Sequence, residues 1–468
     1  MSRIAPLILA LCALVVVIIG RSPTPAHASA DQSMTFEAPV DLADPATRTQ
    51  AFDEISSFGI KSVRIVMLWQ NVAPAADQRV KPDFDATDPA AYNWSAYDPQ
   101  VDGAVARGWK VLLTVSGPVP RWATNGAKDN VTRPKPKEFQ AFVTAAARHY
   151  GTKVSRWSIW NEPNQPQFLL PQYSAAKHTP LSPRIYRNLF LAAEHGLAAG
   201  GLPNAEVLIG ETSPRGTGKV VAPLTFLRGM FCLDSKYRKQ GTCAELKPAG
   251  YAHHAYTTAS GPLFKPKEPN DVTIGVISRL VTALDRAAAA GAVDRRLPIH
   301  LTEFGIQSTP DPIFGVSQAR QSDYRAIAER LAWYQPRVVA FSQYLLRDDP
   351  PVQGVPLAQR YPGFESGLRR NDGRAKLALR GFRLPLAALR KGSGVHLWGL
   401  VRPAGGATPV RVEYSSRGSW RTLFSTTTDA RGYFTRTVNF RAGRRYRVAW
   451  TGPDGRTVHG TTTSVYDR

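Results

Sequence analysis

Cysteine is scarce: three among 468 residues, one of which, Cys12, lies in the apolar N-terminal stretch. A cysteine-rich scaffold is excluded, and with no second Cys/His pair at ligand spacing so is a zinc cluster. Acids are short as well, 36 Asp and Glu against 59 Lys and Arg, a formal charge of +23. Such a balance speaks about partners rather than fold. A glycine-rich phosphate cradle is missing. Gly216-Thr-Gly-Lys219 lacks the first glycine at the required spacing, and no Gly-rich turn follows the first strand. Beyond the N-terminus no apolar run is long enough to cross a bilayer. What is present is a folded composition, 43% hydrophobic with ten tryptophans and sixteen tyrosines, on a length that suits one large domain and one small one.

Residues 1–30 read as a secretory signal: Arg3, an apolar run from Leu7 to Ile19, and Ala26-His-Ala28 or Ala28-Ser-Ala30 for cleavage. The protein is therefore expected to be secreted, with no transmembrane span once the signal is removed. Cys232 and Cys243 remain, an even count in an oxidising compartment, and are expected to form a disulfide closing the polar loop between them.

From Ser33 onward, β-prone runs and helical patterns alternate about eight times over about 330 residues. Helix stops are plain: Gly59 after 46–58, Gly108 after 95–106, Gly151 after 136–150 and Gly291 after 271–290. This is the rhythm of parallel strands with helical crossovers, and eight units predict a closed (β/α)8 barrel over 31–385. A doubly wound open sheet is the competing architecture. From Val395 the texture changes to short alternating runs separated by Gly, Asp and Ser turns, which predicts a small all-β sandwich over 395–468. That segment holds twelve arginines and four acids.

Two strands end in glutamate. Trp157-Ser-Ile-Trp-Asn161-Glu162-Pro163-Asn164 stops at a proline, which lacks a backbone N–H and holds its predecessor extended. Leu297-Pro-Ile-His-Leu-Thr-Glu303-Phe-Gly305 repeats the pattern 141 residues later. On a barrel rim the two carboxyls could stand about 5 Å apart, the separation used in retaining glycoside hydrolysis. Trp69 and Trp122 follow the second and third strands, where each either stacks on a sugar ring or packs in the core. Glu37 and Glu211 near other strand ends read as substrate contacts or structural acids.

Trp160-Asn161-Glu162-Pro163-Asn164 resembles the fourth-strand motif of glycoside hydrolase clan A, and Thr302-Glu303-Phe304-Gly305 its seventh-strand motif. Families 5, 39 and 42 are nearest, over residues 33–385. The resemblance implies Glu162 as acid/base and Glu303 as nucleophile, with no cofactor or metal. It also implies that Asn161 bonds the sugar 2-hydroxyl and that Arg64 supports the nucleophile. His254 and Tyr256 match a His-x-Tyr pattern: residues two apart on a strand share a face, so Tyr256 would donate to Glu303 while His253 faces the helices. Strand eight offers Tyr344 where clan members often carry tryptophan, and strand three lacks the histidine common in family 5. The expected activity is hydrolysis of a β-linked oligo- or polysaccharide by a monomer. The charge leaves an acidic glycan or cell envelope open as partner, and no nucleic-acid motif is found. A non-catalytic glycan- or envelope-binding protein on the same barrel is the alternative.

Overall fold

The computed structural model describes residues 32–467 except 177, 404 and 417; the predicted signal segment 1–30 lies outside them. Eight parallel strands close a barrel in sequence order: β1 (Ser33–Glu37), β2 (Ser62–Leu68), β3 (Lys110–Ser116), β4 (Arg156–Ile159), β5 (Val207–Thr212), β6 (Gly250–His254), β7 (Ile299–Glu303) and β8 (Val338–Tyr344). β1 pairs with β8 from Ser33↔Ala340 to Glu37↔Tyr344, which closes the ring.

The period-two alternation of each strand sorts side chains between two cores. On β2, Val63, Ile65 and Met67 join the apolar layer between strands and helices, while Arg64 points into the barrel. Leu112, Leu208 and Ala252 form a small apolar cluster of their own. Above it the barrel interior turns polar, with Glu37, Arg64, Thr114, His254 and Glu303 all buried. That change from apolar to charged marks the C-terminal rim, where barrels of this kind carry their sites.

Local chemistry explains the helices. Pro136–Tyr150 has proline at its first position, Glu138 in the first turn, Arg148 and His149 in the last, and Gly151 beyond at φ 50°. The helix expected over 271–290 is shorter. A 3-10 turn at Ile274–Val276 precedes the helix Ser278–Ala289. Here a Cβ on Gly275 would stand 2.5 Å from the carbonyl oxygen of Phe264, so the chain hugs the preceding loop. Cys232 and Cys243 are joined by a disulfide. No helix among the described residues is long and apolar enough to cross a membrane.

The C-terminal part is two four-stranded sheets. One runs β13 (Tyr433–Asn439), β10 (Gly394–Leu400), β9 (Leu386–Lys391), β16 (Tyr466–Asp467); the other runs β12 (Ser419–Thr427), β11 (Pro409–Ser416), β14 (Arg445–Thr451), β15 (Thr457–His459). β9 precedes the segment read as strands from sequence and lies centrally in its sheet, so the sheets begin at Leu386 rather than Val395. The first sheet rests on the barrel helix Gln318–Trp333: Trp398, Leu389 and Leu400 pack on Ala326 and Ile327. Arg402 bonds Glu329 and Tyr466 bonds Asp323 across this contact. The module is docked by an apolar face and buried polar groups, not strung on a linker.

Candidate active site

Arg64 organises the rim. Its side chain is wholly buried, and its donors reach Glu211 Oε2 at 2.7 Å, Asn161 Oδ1 at 2.7 Å, Glu303 Oε2 at 3.1 Å and Glu37 Oε2. Burial opposes its charge, but Glu211, Glu37 and Glu303 outweigh burial and hold the guanidinium firmly protonated. Glu211 also accepts from Thr114 at 2.9 Å, and its backbone carbonyl accepts the N–H of Glu162 at 3.1 Å. The β4 tip is thereby tied to the β5 tip. Asn164 completes the tie: its amide bonds the carbonyls of Ser213 and Val221 and accepts from Ser213 N. Trp160 and Glu162 sit at φ 69° and 39°, in the left-handed region that non-glycine residues avoid. Such strain persists where surrounding contacts over-determine the backbone, and it gathers at functional sites.

Glu162 and Glu303 meet over one imidazole. His254 Nδ1 lies 2.9 Å from Glu162 Oε1 and 3.5 Å from Glu303 Oε2, so those two oxygens are at most about 6.4 Å apart, the sum of the contacts. Burial opposes charge on His254, but Glu303 and Glu162 outweigh it and raise its pKa. Tyr256 donates to Glu303 Oε1 at 2.6 Å. His253, on the other face of β6, is buried against Thr212 and the carbonyl of Val272.

The two carboxyls differ electrostatically. Burial raises Glu162, and its bond to His254 offsets this only in part, so its pKa stands above the ordinary carboxylate value. Burial also acts on Glu303, but His254, Arg64 and the Tyr256 hydrogen bond outweigh it and hold this pKa below the ordinary value. Glu37 is pushed up to about 7 by burial, against the pull of Arg64. The surroundings thus push the two carboxyls in opposite directions, Glu162 toward keeping its proton and Glu303 toward losing it, the kind of asymmetry that separates an acid from a nucleophile.

These groups floor a cleft of about 970 Å³. Of the residues singled out from sequence, Glu162, Glu303, Asn161, Tyr256 and Tyr344 line it, with Arg64 and His254 directly behind. Trp69 and Trp122 do not, which corrects their reading as sugar platforms. Both are essentially inaccessible, Trp69 stacked on Phe142 at 5.0 Å and set edge-on to Trp122 at 5.7 Å. Trp69 opens a helical turn, Trp69–Val72, that rolls its ring into the core. The aromatic walls are instead Phe168, Phe314, Tyr361 and Phe364, on loops whose path the sequence does not disclose.

Residues 27–173 match the family model for cellulase, glycosyl hydrolase family 5, a stretch that includes Glu162 and ends before Glu303. In solved structures the fold resembles a glucosidase from Croceicoccus marinus (TM-score 0.52, 14% identity, 91% of this chain and 96% of that one). It resembles equally a monomeric beta-xylosidase from Caulobacter crescentus CB15 (TM-score 0.52, 16% identity, 91% and 96%). The chain resembles the clan A glycoside hydrolases. The family match and the paired carboxylates support a glycosidase. No curated protein sequence matches the chain.

Proposed function

We propose that this glycosidase is an exported, retaining enzyme for β-glycosides, with Glu303 as nucleophile and Glu162 as acid/base. The observation that carries the reading is the single His254 nitrogen in reach of both carboxylates. Its ceiling of about 6.4 Å on one pair of their oxygens admits the roughly 5–5.5 Å of direct attack and sits at the lower edge of the roughly 6.5–9.5 Å across which an inverting enzyme seats a water. In the first step Glu303 forms a bond to the anomeric carbon as the C–O bond to the leaving group breaks, and Glu162 gives its proton to the departing oxygen. In the second, water attacks the same carbon, Glu162 takes the water's proton, and Glu303 leaves as carboxylate. Arg64 and Tyr256 position Glu303 and keep it ionised; Asn161 Nδ2 is left free to donate to a sugar hydroxyl because Arg64 holds its Oδ1. The disulfide supports export.

The pKa directions predict the pH profile. Glu162 must be protonated to start the cycle, so kcat/KM falls as pH rises through its raised pKa; Glu303 must be ionised, so kcat/KM falls as pH drops through its lowered one. Tyr256→Phe removes a charge-assisted hydrogen bond from Glu303, a loss of about 1.5–3 kcal/mol. We expect kcat/KM to drop roughly 10- to 100-fold and the acid limb alone to move to higher pH. If steady-state profiles show the alkaline limb moving instead, the two carboxylates have been assigned the wrong way round.

A further inference from the structure

The chain has 59 lysines and arginines, and among the described residues none of them lines the cleft. Among the described lining residues stand Glu37, Glu162 and Glu303, and no lysine, arginine or histidine. Arg64, behind the floor, has a wholly buried side chain with its donors already engaged by Glu37, Glu211, Glu303 and Asn161. We propose that the cleft takes an uncharged sugar and rejects uronides, and that Glu37 reads this difference by accepting a hydrogen bond from a sugar hydroxyl. The proposal rests on the assignment of Glu162 and Glu303 given above.

Glu37 is the last residue of β1 and the partner of Tyr344 in the β1–β8 register. Its Oε2 is held by Arg64, whereas its Oε1 has no partner among the described residues and belongs to the cleft wall. Asn161 Nδ2 and the Tyr344 hydroxyl line the same cleft with no protein acceptor among the described residues. Ionised Glu37 Oε1 accepts, Asn161 Nδ2 donates and the Tyr344 hydroxyl can do either, which suits neighbouring sugar hydroxyls, each of which both gives and takes a hydrogen bond. A sugar carboxylate would meet Glu37 and Glu303 with no lysine, arginine or histidine among the described lining residues to offset them, and like charges at close range repel. The positive charge of the chain lies elsewhere and does not select the glycone.

The test uses the full-length mature chain and pairs of 4-nitrophenyl β-glycosides that differ only at C6: glucoside and glucuronide, galactoside and galacturonide, mannoside and mannuronide. Their 2-deoxy-2-fluoro analogues serve as covalent probes, read by intact mass. We expect the neutral member of a pair to exceed its uronide in kcat/KM by about 100-fold or more. The ratio should grow as pH rises through about 7, where Glu37 ionises. Glu37→Gln should lower kcat/KM on the neutral substrate by roughly 10- to 100-fold, narrow the ratio and flatten its pH dependence. The ratio is taken between substrates on one sample, so the folded fraction of the variant cancels. Uronides cleaved or bound covalently as well as neutral sugars overturn the proposal and leave the catalytic assignment standing. An unchanged ratio in Glu37→Gln removes Glu37 from it. No adduct from any probe overturns both readings.

Discussion

Glu303→Ala should lose turnover by about five orders of magnitude, roughly 7 kcal/mol of transition-state stabilisation, and sodium azide should restore part of it. The alanine opens space at the end of β7, beside Arg64 and Tyr256, where a small anion can approach the anomeric carbon in place of the carboxylate. The Glu162 pKa should stay raised, because burial is its largest cause and Glu303 only a secondary one, so Glu162 can still give its proton to the departing oxygen. The rescued product is then a glycosyl azide, separable from free sugar by chromatography. A variant with near-normal rates, or one that azide leaves inert while Glu162→Ala is rescued in the same way, would point to another nucleophile.

The second large effect concerns stability. Arg64→Met removes the one arginine that pairs directly with all three of Glu37, Glu211 and Glu303 among the described residues, each of them buried. Removing one partner of a buried ion pair costs about 3–5 kcal/mol, because the other charge stays desolvated. Without the pull of Arg64, Glu37 and Glu303 should hold protons more readily in the folded state, so their folded pKa values rise relative to the unfolded chain. Stability from such groups is present at low pH and lost as pH rises through the folded pKa. The variant should therefore denature at lower denaturant than wild type, by a margin that widens from pH 5 to pH 8. Equal midpoints at both pH values would show that Arg64 carries no such load.

Much of the barrel was legible because each unit is punctuated locally. Pro136–Tyr150 is bounded by its own proline and glycine, and no distant contact is needed to place it. The glutamates at Glu162 and Glu303 were legible for the same reason: a strand that ends in an acid beside Pro163 or Gly305 puts that acid on the rim. Where a side chain turns after leaving a strand is another matter. Trp69 and Trp122 leave β2 and β3 at the rim, yet the backbone that follows folds their rings inward. β9 illustrates tertiary override: Leu-Ala-Ala-Leu-Arg-Lys has helical propensity, and only its pairing with Gly394–Leu400 makes it a strand. Glu37 and Glu211 could be noticed but not ranked, since nothing local says that Arg64, 27 and 147 residues away, would gather both. The loops bearing Phe314, Tyr361 and Phe364 have no periodicity to read, and they shape the cleft.

Two carboxylates working on one anomeric carbon is the central claim, and trapping the intermediate tests it most directly. The wild-type chain treated with a 2-deoxy-2-fluoro-β-glycoside bearing a good leaving group should gain one sugar mass, and peptide mapping should place it on the segment holding Thr302-Glu303-Phe304. An adduct on Glu162 or Glu37, or turnover with no adduct and inverted product, would contradict the account.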